Sequence, residues 1–184
     1  MLPFTRAITT EDPPPERLIA WGAKVSPDFK ARVLAMAGEL GTDADFLMSA
    51  MAFESGETFS ASIRNEAGSG ATGLIQFLPS TAVRLGTSVA ALAAMTAEQQ
   101  LIYVQRYLNP YKGRIATLED LYMSILRPVA IGKPDGYVLF RSGTLAYEEN
   151  AGLDLNKDGA VTKEEASAPV RAKLVKGREA AYVG

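Results

Sequence analysis

The chain has 184 residues, 47% hydrophobic and 22% charged, with a formal net charge of −2. That balance describes a globular protein with a substantial core and gives no electrostatic reason to expect nucleic acid or an anionic membrane as its main partner. Cysteine and histidine are both absent, which excludes disulfides, thiolate or imidazole zinc sites, cysteine nucleophiles and serine–histidine triads. Any proton chemistry falls to carboxylates, tyrosine or lysine.

The opening "MLPFTRAITTEDPPPER" has no basic segment followed by an apolar core, so no secretory signal is expected. No apolar run approaches the length of a membrane span. Pro13, Pro14 and Pro15 make residues 1–18 an extended arm. Residues 19–145 then form the main body, and 146–184 a smaller segment packed on it. In "SPDFKARVLAMAGELG", Ser26 is placed to cap a helix with Pro27 at its first position. Phe29, Val33, Met36, Ala37 and Leu40 form its apolar stripe, and Gly41 ends it.

A second helix starts near Thr42 or Asp43 and is apolar on most sides through Phe53, which predicts a central, buried position. Leu47, Ala50, Met51 and Glu54 share one face, so a carboxylate lies on the apolar stripe in the last turn before Gly56. Then "TFSASIR" alternates as a strand does, and the turn "NEAGSGATG" with "LIQF" predicts a small hairpin beside the acidic helix. Thr96 and Gln99 make a capping box ahead of "LIYVQRYL". Thr117 opens "LEDLYMSIL", whose Leu118, Leu121, Tyr122 and Ile125 share a face that ends at Pro128. The class is α+β and predominantly helical.

Glu54 is the residue with chemistry in it. Apolar surroundings and the negative end of its own helix both disfavour the ionised form. The nearest cation in sequence is Arg64, across the turn. A raised pKa and a proton retained near neutrality are expected, which suits a general acid in glycosidic cleavage. The plainer alternative is a structural pair with Arg64 or a solvated helix end.

The stretch "ESGETFSASIRNEAGSGATGLIQFLPSTAVRLG" resembles the soluble lytic transglycosylase and goose-type lysozyme superfamily, and within it the phage endolysins. Three spaced elements carry the likeness: Glu54-Ser55, Gly70-Ala71-Thr72-Gly73-Leu74-Ile75-Gln76, and Pro79-Ser80-Thr81-Ala82. The resemblance implies a lysozyme-like fold and cleavage of the β-1,4 bond between N-acetylmuramic acid and N-acetylglucosamine in peptidoglycan, with Glu54 protonating the leaving oxygen. It places Ser55 and Gln76 on the sugar site, lets the backbone approach the glycan at Gly73, and has Thr72 position a water in some phage relatives. Tyr122 matches the family's cleft tyrosine, although this chain reads "YMSIL" where the family has Tyr-Asn-x-Gly, and core packing is the other reading of Tyr122.

A hydrolase needs a second carboxylate, for which Glu57 and Glu66 are the nearest candidates; a lytic transglycosylase needs only one. The likeness further implies a monomer made in the cytoplasm without a signal peptide, acting on the bacterial wall after release through a membrane lesion. A non-catalytic calcium-dependent glycan-binding module and a chitin-type glycan hydrolase are the alternatives. Gly68, Gly70 and Gly73 also spell a dinucleotide-binding fingerprint, but "SIRNEA" is too polar for its strand and Pro79 interrupts its helix.

Near the end, "DLNKDGAVTKEE" matches a calcium loop of the EF-hand type. Asp154, Asn156 and Asp158 stand at positions 1, 3 and 5, Gly159 at 6, the Ala160 carbonyl at 7 and Glu165 at 12. A Ca²⁺ site of structural or regulatory kind is expected there, within an EF-hand-like helix-loop-helix. Pro169 predicts an exiting helix that is short, kinked or restarted. Arg171, Lys173, Lys176 and Arg178 read as a solvated helix face, or as a contact for an anionic surface.

Overall fold

The computed structural model describes residues 17–65 and 68–184. Most of the expected arm, including Pro13 to Pro15, and Glu66 lie outside the described residues. Among those described, helix dominates an α+β fold. The helices are α1 (Pro27–Leu40), α2 (Ala44–Glu54), α3 (Pro79–Arg84), α4 (Val89–Ala93), α5 (Ala97–Leu108), α6 (Leu118–Leu126), α7 (Leu145–Asn150) and α8 (Lys163–Gly177). Strands β1 (Val138–Arg141) and β2 (Ala160–Thr162) pair antiparallel.

Local chemistry starts and stops these helices where the sequence places the signals. The Ser26 hydroxyl accepts from the Phe29 N–H at 3.1 Å. Gly41 closes α1 in the left-handed region at φ 71°. Of the two starts open for α2, Asp43 is the cap, accepting from the Asp45 N–H at 2.9 Å. Thr96 and Gln99 satisfy each other's backbone N–H groups reciprocally at the head of α5. Such caps are each worth about 1 kcal/mol.

Helix α2 is the axis of the molecule. It packs against α8, α1 and α6, and Leu47, Met48 and Met51 are fully buried. Burial of each contributes about 2–3 kcal/mol, so the position of its last residue, Glu54, is fixed by core packing and not by a loop. Trp21, also fully buried, donates its indole N–H to the Lys173 carbonyl at 2.9 Å and ties the start of the described chain to α8.

Two expectations need correction. The hairpin beside α2 does not form as strands: only isolated bridges join Arg64 to Thr72 and Thr72 to Phe77. Phe59 and Ala61 are buried and Ser62 is exposed, as the alternation predicts, but the backbone turns instead of extending. Phe59 has φ 51°, the Ser60 hydroxyl accepts from the Ser62 N–H, and the Thr58 hydroxyl accepts from the Ser60 N–H, each at 3.2 Å. Local side-chain bonds of this kind compete with a sheet ladder. Regular strand pairing occurs elsewhere, between β1 and β2.

Pro169 neither ends nor restarts α8, which runs through it. The missing N–H costs one backbone bond, offset by buried Ala166, Ser167 and Val170 on either side. The helix is also anchored at its head, where buried Lys163 donates to Asp120 of α6 at 2.6 Å and to the Lys133 carbonyl at 2.8 Å.

Candidate active site

Glu54 ends α2 and faces an open cavity of about 410 Å³, lined also by Phe53, Ser55, Ile63, Arg64, Asn65 and Gln76. Burial pushes its carboxyl up to about 7, because the ionised form loses hydration with no partner to replace it. Arg64 lines the same cavity, yet among the described residues no ion pair joins it to Glu54. The plain structural pairing is not what the geometry forms.

Two tyrosines flank the acid. Tyr122, buried on α6, meets Phe53 edge to face at 5.6 Å between ring centroids. Burial and the nearby Glu54 carboxyl both push its hydroxyl up. Tyr122 is therefore a core residue packed behind the acid, and it does not line the cavity. Tyr107 of α5 donates to the Ser124 carbonyl at 2.8 Å. Its hydroxyl is pushed up to about 12, mainly by burial, with Tyr111, Arg84 and Glu54 all within electrostatic reach. Sequence inspection did not single out Tyr107, whose α5 reads as a plain amphipathic helix.

The other expected sugar-site residues divide. Ser55 lines the cavity, but its hydroxyl accepts from the Phe59 N–H at 3.0 Å and holds the turn after α2. Gln76 lines the cavity and donates to the Gly73 carbonyl at 3.1 Å, from a backbone at φ 50°. Thr72 is buried and exchanges both backbone bonds with Phe77. It does not line the cavity.

Gly73 is needed for close packing. At φ 85°, a Cβ there would collide with the amide of Gln100. Gln100 is fully buried. It accepts from the Leu74 N–H at 2.7 Å and donates to the Ala61 and Leu92 carbonyls at 3.0 Å each. That one side chain braces the loop carrying Gln76 against the turn after α2. The sequence does hold a trace of it, a polar residue on the inner face of α5 beside Leu101 and Val104.

Glu57, the described candidate for a second carboxylate, is committed elsewhere. It meets Lys173 at 2.5 Å and Lys176 at 2.6 Å, both on α8, and those ammonium groups hold its carboxyl below the usual range. Two of the four C-terminal cations are thus partnered internally. Arg171 pairs with Glu119 at 2.6 Å and Arg178 with Asp45 at 2.8 Å, so all four are used within the fold.

The loop Asp154–Glu165 runs between α7 and α8 and contains β2. Asp154 accepts from the Gly159 and Asp158 N–H groups at 3.0 and 3.3 Å. Asn156 accepts from Asp158 at 2.8 Å, Asp158 from Ala160 at 2.9 Å, and Glu165 from the Asn156 N–H at 3.4 Å. The four side chains so close on one another around one turn. Tyr147 donates to Asp154 at 2.7 Å and lowers its pKa, and hydrogen bonds from Thr162 hold the Glu165 carboxyl below its usual range. As the side chains stand, no group of three or more acids among the described residues forms a ready-made ion cage.

The fold and cleft together define the class: an α+β protein that presents a carboxylic acid of raised pKa from the end of a buried helix into an open cavity. No known protein family matches the sequence, and a search of curated proteins finds no match.

Proposed function

We propose that the protein cleaves the glycan strands of peptidoglycan, with Glu54 as its general acid. The observation that carries this reading is a carboxyl held near pKa 7 at the rim of an accessible cavity with no ion-pair partner among the described residues. Burial of this kind keeps a proton available at neutral pH for a leaving glycosidic oxygen. Glu57, paired with two lysines, is poorly placed to serve as a second carboxylate, and of the two routes the one-acid route is the one we propose. In that route Glu54 gives its proton to the glycosidic oxygen. Its carboxylate then takes the proton of the muramyl C6 hydroxyl as that oxygen bonds to C1.

The test is mass analysis of sugars released from purified sacculi. Fragments lacking one water relative to hydrolytic products support this route, hydrolytic masses point to a water nucleophile, and no released sugar refutes cleavage and leaves a binding module. Glu57→Gln is expected to keep activity within about threefold of wild type, since removing a true second carboxylate costs on the order of 10²-fold or more. A loss of that size in the lytic assay would return Glu57 to the chemistry.

We further infer a hard-cation site in the 154–165 loop from the spacing of its oxygen-bearing residues. Asp154, Asn156, Asp158, the Ala160 carbonyl and Glu165 would supply oxygen ligands only. Calcium there would brace the fold and take no part in the reaction. β2 of this loop pairs with β1, in register Val138 to Thr162 and Arg141 to Ala160, which supplies the support a lone loop of this type otherwise lacks. Saturating calcium, at about 100 times its Kd, stabilises by about 2.7 kcal/mol, a Tm rise of roughly 5–10 °C for a chain of this size. Glu165→Gln keeps the helix cap and is expected to abolish the rise. Equal melting in calcium and in chelator would refute the site.

A further inference from the structure

Gln76 stands between the Glu54 cavity and a second one. That second one is a small cavity of about 50 Å³, shared with Tyr107. Tyr107 in turn lines a larger cavity of about 480 Å³ with Arg84, Arg106, Tyr111 and Pro128. The three cavities thus share walls in sequence, and Tyr107 feels the charges of both Glu54 and Arg84. No described carboxylate lines the far cavity. Neither arginine has an ion pair among the described residues, whereas the four cations at the end of α8 all do. Arg106 lies over the Tyr103 ring at 5.1 Å, which limits its freedom while leaving its N–H groups to a ligand.

We propose that Arg84 and Arg106 form a carboxylate-reading subsite for the same polymer that reaches Glu54, and that the protein selects an anionic glycan over a neutral one. The inference rests on the glycan-cleaving reading above. Aromatic walls suit the apolar faces of sugar rings, and a guanidinium matches a carboxylate with two parallel N–H donors. On a peptidoglycan strand that carboxylate belongs either to the lactyl ether of the muramyl sugar or to the stem peptide. Chitin has neither. The adjacency to the Glu54 cavity through Gln76 and Tyr107 favours a glycan over a nucleic acid, which the net charge of −2 also disfavours.

The test is calorimetric binding to full-length Glu54→Gln protein, with and without Arg84→Gln plus Arg106→Gln. Its probes are a peptide-free N-acetylglucosaminyl-muramyl tetrasaccharide, the same glycan bearing stem peptides, chitotetraose, and an oligothymidine. At least one anionic glycan is expected to bind about tenfold or more tightly than chitotetraose, with the preference weakened at 0.5 M salt and erased by the double arginine substitution. Preference already present without peptide assigns the lactyl carboxylate; preference only with peptide assigns the stem. Equal binding of neutral and anionic glycans, a preference that survives the double substitution, or tighter binding of oligothymidine overturns the subsite and leaves Glu54 chemistry standing. If no glycan binds at all, the glycan-cleaving reading falls with it.

Discussion

Glu54→Gln is expected to stop glycan cleavage and, above neutral pH, to make the protein more stable. Loss of a general acid costs about 10²–10⁴-fold in rate, and glutamine cannot give up a proton. The stability gain follows from the pKa. Burial raises the folded-state value from 4.5 to about 7, so between those pH values the folded chain holds a proton that the unfolded chain has released. Stability therefore falls as pH rises through that window and has lost about 3 kcal/mol once pH exceeds 7. Glutamine is neutral throughout and bears none of this loss. Melting curves are expected to coincide below pH 4.5 and to separate by roughly 5–10 °C at pH 8, with the variant higher. Wild-type cleavage is expected to decline above pH 7 as the acid ionises. A variant that is inactive and no more stable at pH 8 would show that the carboxyl is not held at the expense of the fold.

Gln100→Leu is expected to destabilise the protein severely. The substitution leaves the Leu74 N–H and the Ala61 and Leu92 carbonyls without their buried partner. Each such group costs about 1–3 kcal/mol, so a total above 3 kcal/mol is expected by denaturant unfolding. Because two of those groups, the Leu74 N–H and the Ala61 carbonyl, belong to the segments that carry the Glu54 cavity wall, residual folded protein should also bind glycan weakly. Gly73→Ala attacks the same contact from the other side, through collision and a positive φ, and is expected to resemble it. A cost under 1 kcal/mol for Gln100→Leu would mean that this amide does not hold the loops together.

Helices with their own start and stop chemistry were legible in the sequence. Ser26, Thr96 with Gln99, and Thr117 mark the heads of α1, α5 and α6 because capping depends on residues three positions apart. The burial of α2 was legible for a similar reason, since its apolar residues surround the helix. The segment after it was not. Phe59 and Ala61 do turn inward, but hydroxyl-to-backbone bonds at Thr58 and Ser60 settle the backbone, and a period-two pattern does not distinguish a strand from a turn that buries the same residues. The site divides along the same line. Glu54 was found from its own neighbours in sequence, whereas Glu57 is decided by lysines 116 and 119 positions away. Gly73 is decided by a glutamine on a distant helix, and Tyr107 meets Gln76 along one small cavity only through the tertiary fold. Long-range partnership of single side chains leaves little periodic signal.

The most direct measurement is the titration of the Glu54 side-chain carboxyl by carbon-detected NMR, identified by the resonance that Glu54→Gln removes. A midpoint near 7 is the expected result. A midpoint near 4.5, that of an ordinary glutamate, would contradict the account, because the acid would then have no proton to give at neutral pH.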